Sequence, residues 1–286
     1  VGTVASEGYP KTLQLMASAV GLKNLSIVSQ GGYGLAESID RDWSFLADQV
    51  SKIRPEYKGP SLTHTQYRID TALAAVYGFI KTGNSLLCEY DDKGNCTEMQ
   101  LNDPVNYVRY HLVSLLEKMK REQYKEPLNT LILGCTHYPY MRDTIAQVLL
   151  ELYNYKEGSD YRYRKVLSKK VCLIDPAVET AKEAYLSLRQ LNSVAAKENP
   201  LHSKSRQDAF FIAVPNLDLP DLKLQSDGWF TYEYKYGRNE GADKKYVQFV
   251  PFDIKNISPE TYERFRRALP LSYGTIMQVG VGSQIR

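Results

Sequence analysis

The chain has 286 residues, enough to bury a sizeable core in one large or two small domains. Its 43% hydrophobic and 24% charged content is ordinary for a soluble globular protein, and a net charge of +3 makes no electrostatic case for nucleic acid or an anionic membrane. No apolar run approaches the ~20 residues that span a bilayer, and the N-terminus does not read as a secretory signal.

In chain order, Val1–Ala5 reads as a strand, and residues 10–20 carry Leu13, Met16, Ala17 and Val20 at helical spacing, closed by Gly21. Leu25–Val28 predicts a short strand, followed by the loop Gly31-Gly32-Tyr33-Gly34 and a helical stretch reaching Val50. A polar segment runs to about Ser61, and Thr63-His64-Thr65 reads as the cap of a helix from Tyr67 to Ile80. The glycines at 31–34 are no phosphate loop, since no Gly-Lys-Ser/Thr follows and the spacing is not G-x-G-x-x-G. Leu86–Tyr90 and Cys96–Gln100 flank Asp91-Asp92-Lys93-Gly94-Asn95, the pattern of a β-hairpin.

Asp103 followed by Pro104 is a favoured helix start, and Val105, Val108, Leu112, Leu115, Leu116 and Met119 form that helix's apolar stripe. A strand from Leu128 to Gly134, a turn at Cys135 and a helix from Met141 to Tyr153 follow. A basic, tyrosine-rich stretch over 161–170 leads to a strand Val171–Ile174 and a helix from Asp175-Pro176 to about Leu191. That stretch is read as a solvated strand edge rather than a nucleic-acid patch. Residues 193–208 read as a linker, Phe210–Val214 as a strand, 226–250 as a hairpin around Gly237–Ala242, and Pro259–Leu269 as a last helix.

The chemistry concentrates in Leu131-Ile132-Leu133-Gly134-Cys135-Thr136-His137-Tyr138-Pro139. An apolar strand stops at a glycine, and a thiol, a hydroxyl and an imidazole follow where a helix begins. Open α/β sheets collect reactive groups at the carboxyl ends of their strands. Backbone N–H groups at a helix start favour thiolate over thiol, and histidine titrates near ~6.5. The bland alternatives are a core cysteine and a capping histidine. Three reactive side chains in succession favour function. The 4 cysteines contain no C-x-x-C pair, and neither H-E-x-x-H nor an EF-hand loop occurs, so no metal is expected. Cys172 reads as core. Cys88 and Cys96 flank a turn, and free thiols are favoured over a bridge because cytosolic thiols stay reduced.

This motif resembles the C-terminal catalytic motif of the aspartate/glutamate racemase family, closest to the glutamate racemases. Val1-Gly2-Thr3-Val4-Ala5-Ser6 with Thr12, and Leu173-Ile174-Asp175-Pro176-Ala177-Val178-Glu179-Thr180-Ala181, are similar to flanking segments of that family. The resemblance covers about residues 1–30 and 128–192. It implies an α/β fold with a parallel sheet flanked by helices, here with inserted β-hairpins and a C-terminal extension. The expected domains are a racemase-like lobe over 1–192 with an insertion at about 40–101, then a linker and extension over 193–286. The family's N-terminal lobe, with its Asp-Ser loop and Cys-Asn-Thr motif, has no counterpart here, and Val1 is not methionine. The expectation is therefore a fragment that cannot racemise alone.

The resemblance implies a cofactor-independent racemase of the cytoplasm, making D-glutamate for peptidoglycan by proton transfer between two cysteines at Cα. Cys135 would be one acid/base, assisted by His137. Thr136, Ser6 and Thr12 would hold the substrate, and Glu37 would support the histidine. Tyr9-Pro10 and the 31–34 loop depart from the family pattern, which weakens Thr12 and Glu37. A small acidic amino acid is the partner implied, with no cofactor, nucleic acid or membrane, and a homodimer is compatible. Aspartate as substrate, a degenerate racemase-like binding or regulatory module, and a Cys-His hydrolase are the competing readings.

Overall fold

The computed structural model describes residues 3–22, 25–191, 210–225, 228, 230–236, 246–253 and 255–280. The chain divides into two compact units, residues 1–184 and 185–286.

The first unit opens on α1 (Thr3–Ala19), with Pro10 inside it and Gly21 at positive φ just beyond its end. The strand expected from Val1 to Ala5 is therefore helical from Thr3 onward, and Val1 and Gly2 lie outside the described residues. Leu25–Val28 is likewise not a strand. Side chains from a later helix and the segment just after it occupy carbonyls here: Lys118 Nζ donates to Ser29 O at 3.0 Å and Tyr124 Oη to Ile27 O at 3.4 Å. Those bonds stand in for a strand ladder.

Residues 35–85 hold little regular structure. Helix α2 (Leu35–Ile39) is short, and a 3-10 turn at Thr71–Leu73 runs into α3 (Ala74–Tyr77), where long helices to Val50 and over 67–80 were expected. Buried amides explain how this irregular chain is held. Gln100 bonds both backbone groups of Arg54, at 2.9 and 2.8 Å. Asn102 bonds both of Ala47 at 2.8 Å, and Asn106 bonds both of Ile80 plus Ser85 O at 2.8–2.9 Å. Each amide presents a donor and an acceptor side by side, as a strand edge would. His64 caps its turn, its Nδ1 accepting from the Gln66 and Tyr67 N–H groups at 3.1 and 3.0 Å.

The expected hairpin forms as β1 (Leu86–Tyr90) and β2 (Cys96–Leu101), antiparallel, with Gly94 at positive φ in its turn. Cys88 and Cys96 are joined in a disulfide, against the free thiols favoured from sequence. The hairpin itself brings the two Cα atoms to 5.6 Å, within bridging range.

Helix α4 (Pro104–Arg121) is the organising element. Asp103 Oδ1 accepts from Val105 N at 2.8 Å, as its cap pattern predicts. Tyr107, Val108, Val113 and Leu116 on it are essentially inaccessible to water. Each such side chain contributes about 1.5–3 kcal/mol of burial. Strand β3 (Leu128–Ile132) follows, then α5 (Arg142–Asn154), a small hairpin of β4 (Lys156–Glu157) and β5 (Asp160–Tyr161), and β6 (Leu167–Ile174). β3 and β6 pair in parallel, Thr130 opposite Cys172 and Ile132 opposite Ile174. The chain thus mixes helices and strands and contains a parallel sheet, consistent with α/β.

In the basic stretch, Tyr163 is fully buried and its hydroxyl donates to Glu117 at 2.6 Å. Arg162 donates to Glu117 at 2.9 Å and to Glu157 at 2.6 Å, so these residues serve packing. Helix α6 (Pro176–Gln190) begins where Asp175 Oδ1 accepts from Ala177 N at 2.9 Å.

In the second unit, β7 (Phe211–Pro215) pairs antiparallel with β8 (Val247–Pro251), with α7 (Tyr232–Tyr236) between them in sequence. The hairpin expected within 226–250 is replaced by this pairing, and its turn at 237–242 lies outside the described residues, as does the expected linker 193–208. Two helices close the unit, α8 (Pro259–Ala268) and α9 (Pro270–Gly280). Ser258 caps α8 by accepting from Thr261 N at 3.2 Å.

Candidate active site

The site is built where β3 ends. Leu133 N still donates to Ile174 O of the sheet at 2.9 Å, and then the chain folds back on itself. Gly134 N reaches Ile132 O at 3.0 Å and Cys135 N reaches Leu133 O at 2.8 Å. Tyr138 N then bonds Cys135 O at 3.2 Å and enters a 3-10 turn, Tyr138–Met141, that leads into α5. This tight turn presents Cys135 at the carboxyl end of a parallel strand, half-buried and unbridged. Tyr9 of α1 packs within 3.9 Å of where a side chain at Gly134 would begin.

Cys135 Sγ lies 3.5 Å from His137 Nδ1, and Thr136 Oγ1 lies 3.4 Å from the same nitrogen. On the other side of the ring, His137 Nε2 is 2.8 Å from Asp40 Oδ2. An ionised carboxylate only accepts, so Nε2 carries the hydrogen in this pair. The neutral ring then turns its Nδ1 lone pair toward the thiol. Protonated, the same ring is an acid facing the thiolate. Asp40 sits at the C-terminal cap of α2, and its side chain is 50% exposed against 32% for His137.

The sequence pointed to Glu37 as the acid behind the histidine. Asp40, three residues further along, makes the bond, while Glu37 sits half-buried on α2. Glu37 is nonetheless felt nearby. Burial pushes the Tyr138 hydroxyl above its ordinary range, and negative charge on Cys135 and on Glu37 pushes the same way. The structure therefore brings Cys135, Thr136, His137, Asp40, Glu37 and Tyr138 to one place. Thr12 is exposed and donates to Gly8 O at 3.2 Å along its own helix. Ser6 lies early in α1 and its side chain is outside the described residues.

Beneath the turn lies a cavity of about 90 Å³, lined mainly by Leu115, Leu131, Leu133, Ile145, Tyr138 and His111. Tyr138 closes it against Gly32, donating to Gly32 O at 3.4 Å, and any β-carbon at Gly32 would collide with the tyrosine. His111 of α4 was not anticipated. Its Nε2 is 2.9 Å from Tyr33 O, and its Nδ1 is buried with no partner among the described residues. Burial lowers its pKa to about 4, the Tyr33 bond opposing, so it stands neutral near pH 7. A lone histidine on an otherwise apolar stripe gave no sequence signal beyond its polarity. Among the described residues no group of His, Cys, Asp and Glu could hold a metal ion, and no helix is long and apolar enough to cross a membrane.

A glutamate racemase of Desulforudis audaxviator (strain MP104C) is 38% identical to this chain over 71 residues, 23% of the chain and 19% of that enzyme. The match spans about a fifth of that enzyme's length and supports a racemase-like relationship at most. No family model and no solved structure matches.

Proposed function

We propose that Cys135 is an acid/base for proton transfer at the α-carbon of a small acidic amino acid, in a cofactor-independent racemase. The observation that carries this reading is the Cys135–His137–Asp40 chain at the end of β3. Abstracting a weakly acidic α-proton needs a base held in place with its own proton shuttle. His137 moves a proton to or from the thiol, and Asp40 fixes the ring and stabilises its charged form. Thr136, exposed beside the ring, offers its hydroxyl to a substrate carboxylate. Glutamate, converted to the D-enantiomer for peptidoglycan, is the substrate this reading favours, with aspartate the alternative of the same chemistry.

Inversion needs a second base on the opposite face. Among the described residues Cys172 is the other free cysteine, and it lies on β6 opposite Thr130 of the sheet. On this reading the described residues supply one cysteine base to the site. The test is incubation of each enantiomer of glutamate and aspartate in deuterated water. The expected result is deuterium at Cα of one enantiomer only, lost in Cys135→Ser, with no change in circular dichroism. Sustained racemisation by the chain alone refutes the one-base claim, and no exchange with any enantiomer refutes the racemase reading.

A further inference from the structure

We infer that the same three side chains give this chain a second chemistry: Cys135 acts as a nucleophile toward carboxylic esters and thioesters that carry a good leaving group. The argument is geometric and independent of the racemase reading. Nucleophilic thiol catalysis needs a sulfur beside an imidazole that is itself oriented by a third group. Here Sγ faces Nδ1 at 3.5 Å and the opposite ring nitrogen is held by Asp40 at 2.8 Å. Inversion at carbon demands a second base across the substrate, whereas acyl transfer does not. The backbone N–H groups of Thr136 and His137, directly after the nucleophile, make no hydrogen bond among the described residues. They are placed to receive the negative oxygen of a tetrahedral intermediate. Cys135, His137 and Asp40 are all partly open to solvent, so an ester can approach.

The steps balance without any co-reactant but water. The Cys135 thiol gives its proton to His137, its sulfur forms a bond to the ester carbonyl carbon, and the carbonyl pair moves onto oxygen. Collapse of that intermediate breaks the carbon–oxygen bond of an ester, or the carbon–sulfur bond of a thioester, to the leaving group, which takes the proton from His137, and leaves a thioester on Cys135. Water then attacks the thioester carbon, giving its proton to His137. The carbon–sulfur bond breaks, the thiolate recovers the proton, and a carboxylic acid departs.

Cys172 provides an internal comparison: it is an exposed free thiol that makes no side-chain hydrogen bond among the described residues. The experiment uses the full chain with para-nitrophenyl acetate, following phenolate release and locating the acetyl group by peptide mass spectrometry. The expected result is a burst, acetylation at Cys135 ahead of Cys172, and slower turnover. Cys172→Ser keeps the burst. His137→Asn slows acylation by about 100-fold, the scale of general acid–base catalysis. Asp40→Asn slows it less and displaces the pH profile, which a residue of purely structural importance would not do. Variants are compared at matched far-ultraviolet circular dichroism, so unfolding is separated from lost chemistry. Equal labelling of Cys135 and Cys172, or an unchanged rate and pH profile in Asp40→Asn, overturns the proposal.

Discussion

Lowering the pH from about 7 to about 4.5 is expected to cost the fold about 2 kcal/mol through His111 alone. In the unfolded chain this imidazole protonates near ~6.5. In the folded chain it holds off protonation to about 4, because charging it would bury an ion beside a small apolar cavity. Between those values the unfolded state binds more protons, so stability is fully present above ~6.5 and falls as the pH drops toward 4. The difference of about 2.5 pKa units has a ceiling of about 3 kcal/mol, of which about two thirds is expressed by pH ~4.5. His111→Gln isolates this contribution, since a glutamine amide can still donate toward the Tyr33 carbonyl but does not titrate in this range. Urea unfolding of both proteins at the two pH values is the assay. The native protein should lose about 2 kcal/mol more than the variant across the interval. Parallel losses would refute the reasoning and show that His111 is solvated or paired in solution.

Three further outcomes follow from the packing. Gly32→Ala should destabilise by about 1–3 kcal/mol because its methyl meets the Tyr138 hydroxyl, and adding Tyr138→Phe should recover part of that loss in a double-mutant cycle. Asn106→Ala should cost about 3 kcal/mol in urea unfolding, since it strips partners from Ile80 N, Ile80 O and Ser85 O together. Cys88→Ser with Cys96→Ser should lower stability by about 2 kcal/mol, and thiol titration of the unreduced, denatured native chain should count two free cysteines, not all 4.

Elements that carry their own signal were legible in the sequence. Asp103-Pro104 and the stripe from Val105 to Met119 announced α4, and the turn around Gly94 announced β1 and β2. The apolar run ending in Gly134-Cys135 placed the Cys135 thiol at a strand end, where the structure also has it. Segments held by distant groups were not legible. The stretches to Val50 and from Tyr67 to Ile80 read as helical, but amides 46 and 55 residues away supply partners that fix an irregular path around Arg54 and Ala47. Asp40 was missed for a related reason. It pairs with His137 across 97 residues, and nothing local distinguishes it from Glu37 on the short helix that it caps. The Cys88–Cys96 bond was a matter of compartment chemistry rather than pattern, and the hairpin's geometry decided it.

The borrowed partners of Arg54, Ala47 and Ile80 also dictate an order of events. Their amides sit on β2, just after it and on α4, so residues 45–80 have no template until that downstream scaffold exists. On the ribosome this stretch must emerge and wait, unprotected, until partners 26 to 55 residues further along have been made before it can settle. Pulse-labelling amide exchange should accordingly find it the last part of the first unit to acquire protection and, under mild denaturant, the first to surrender it.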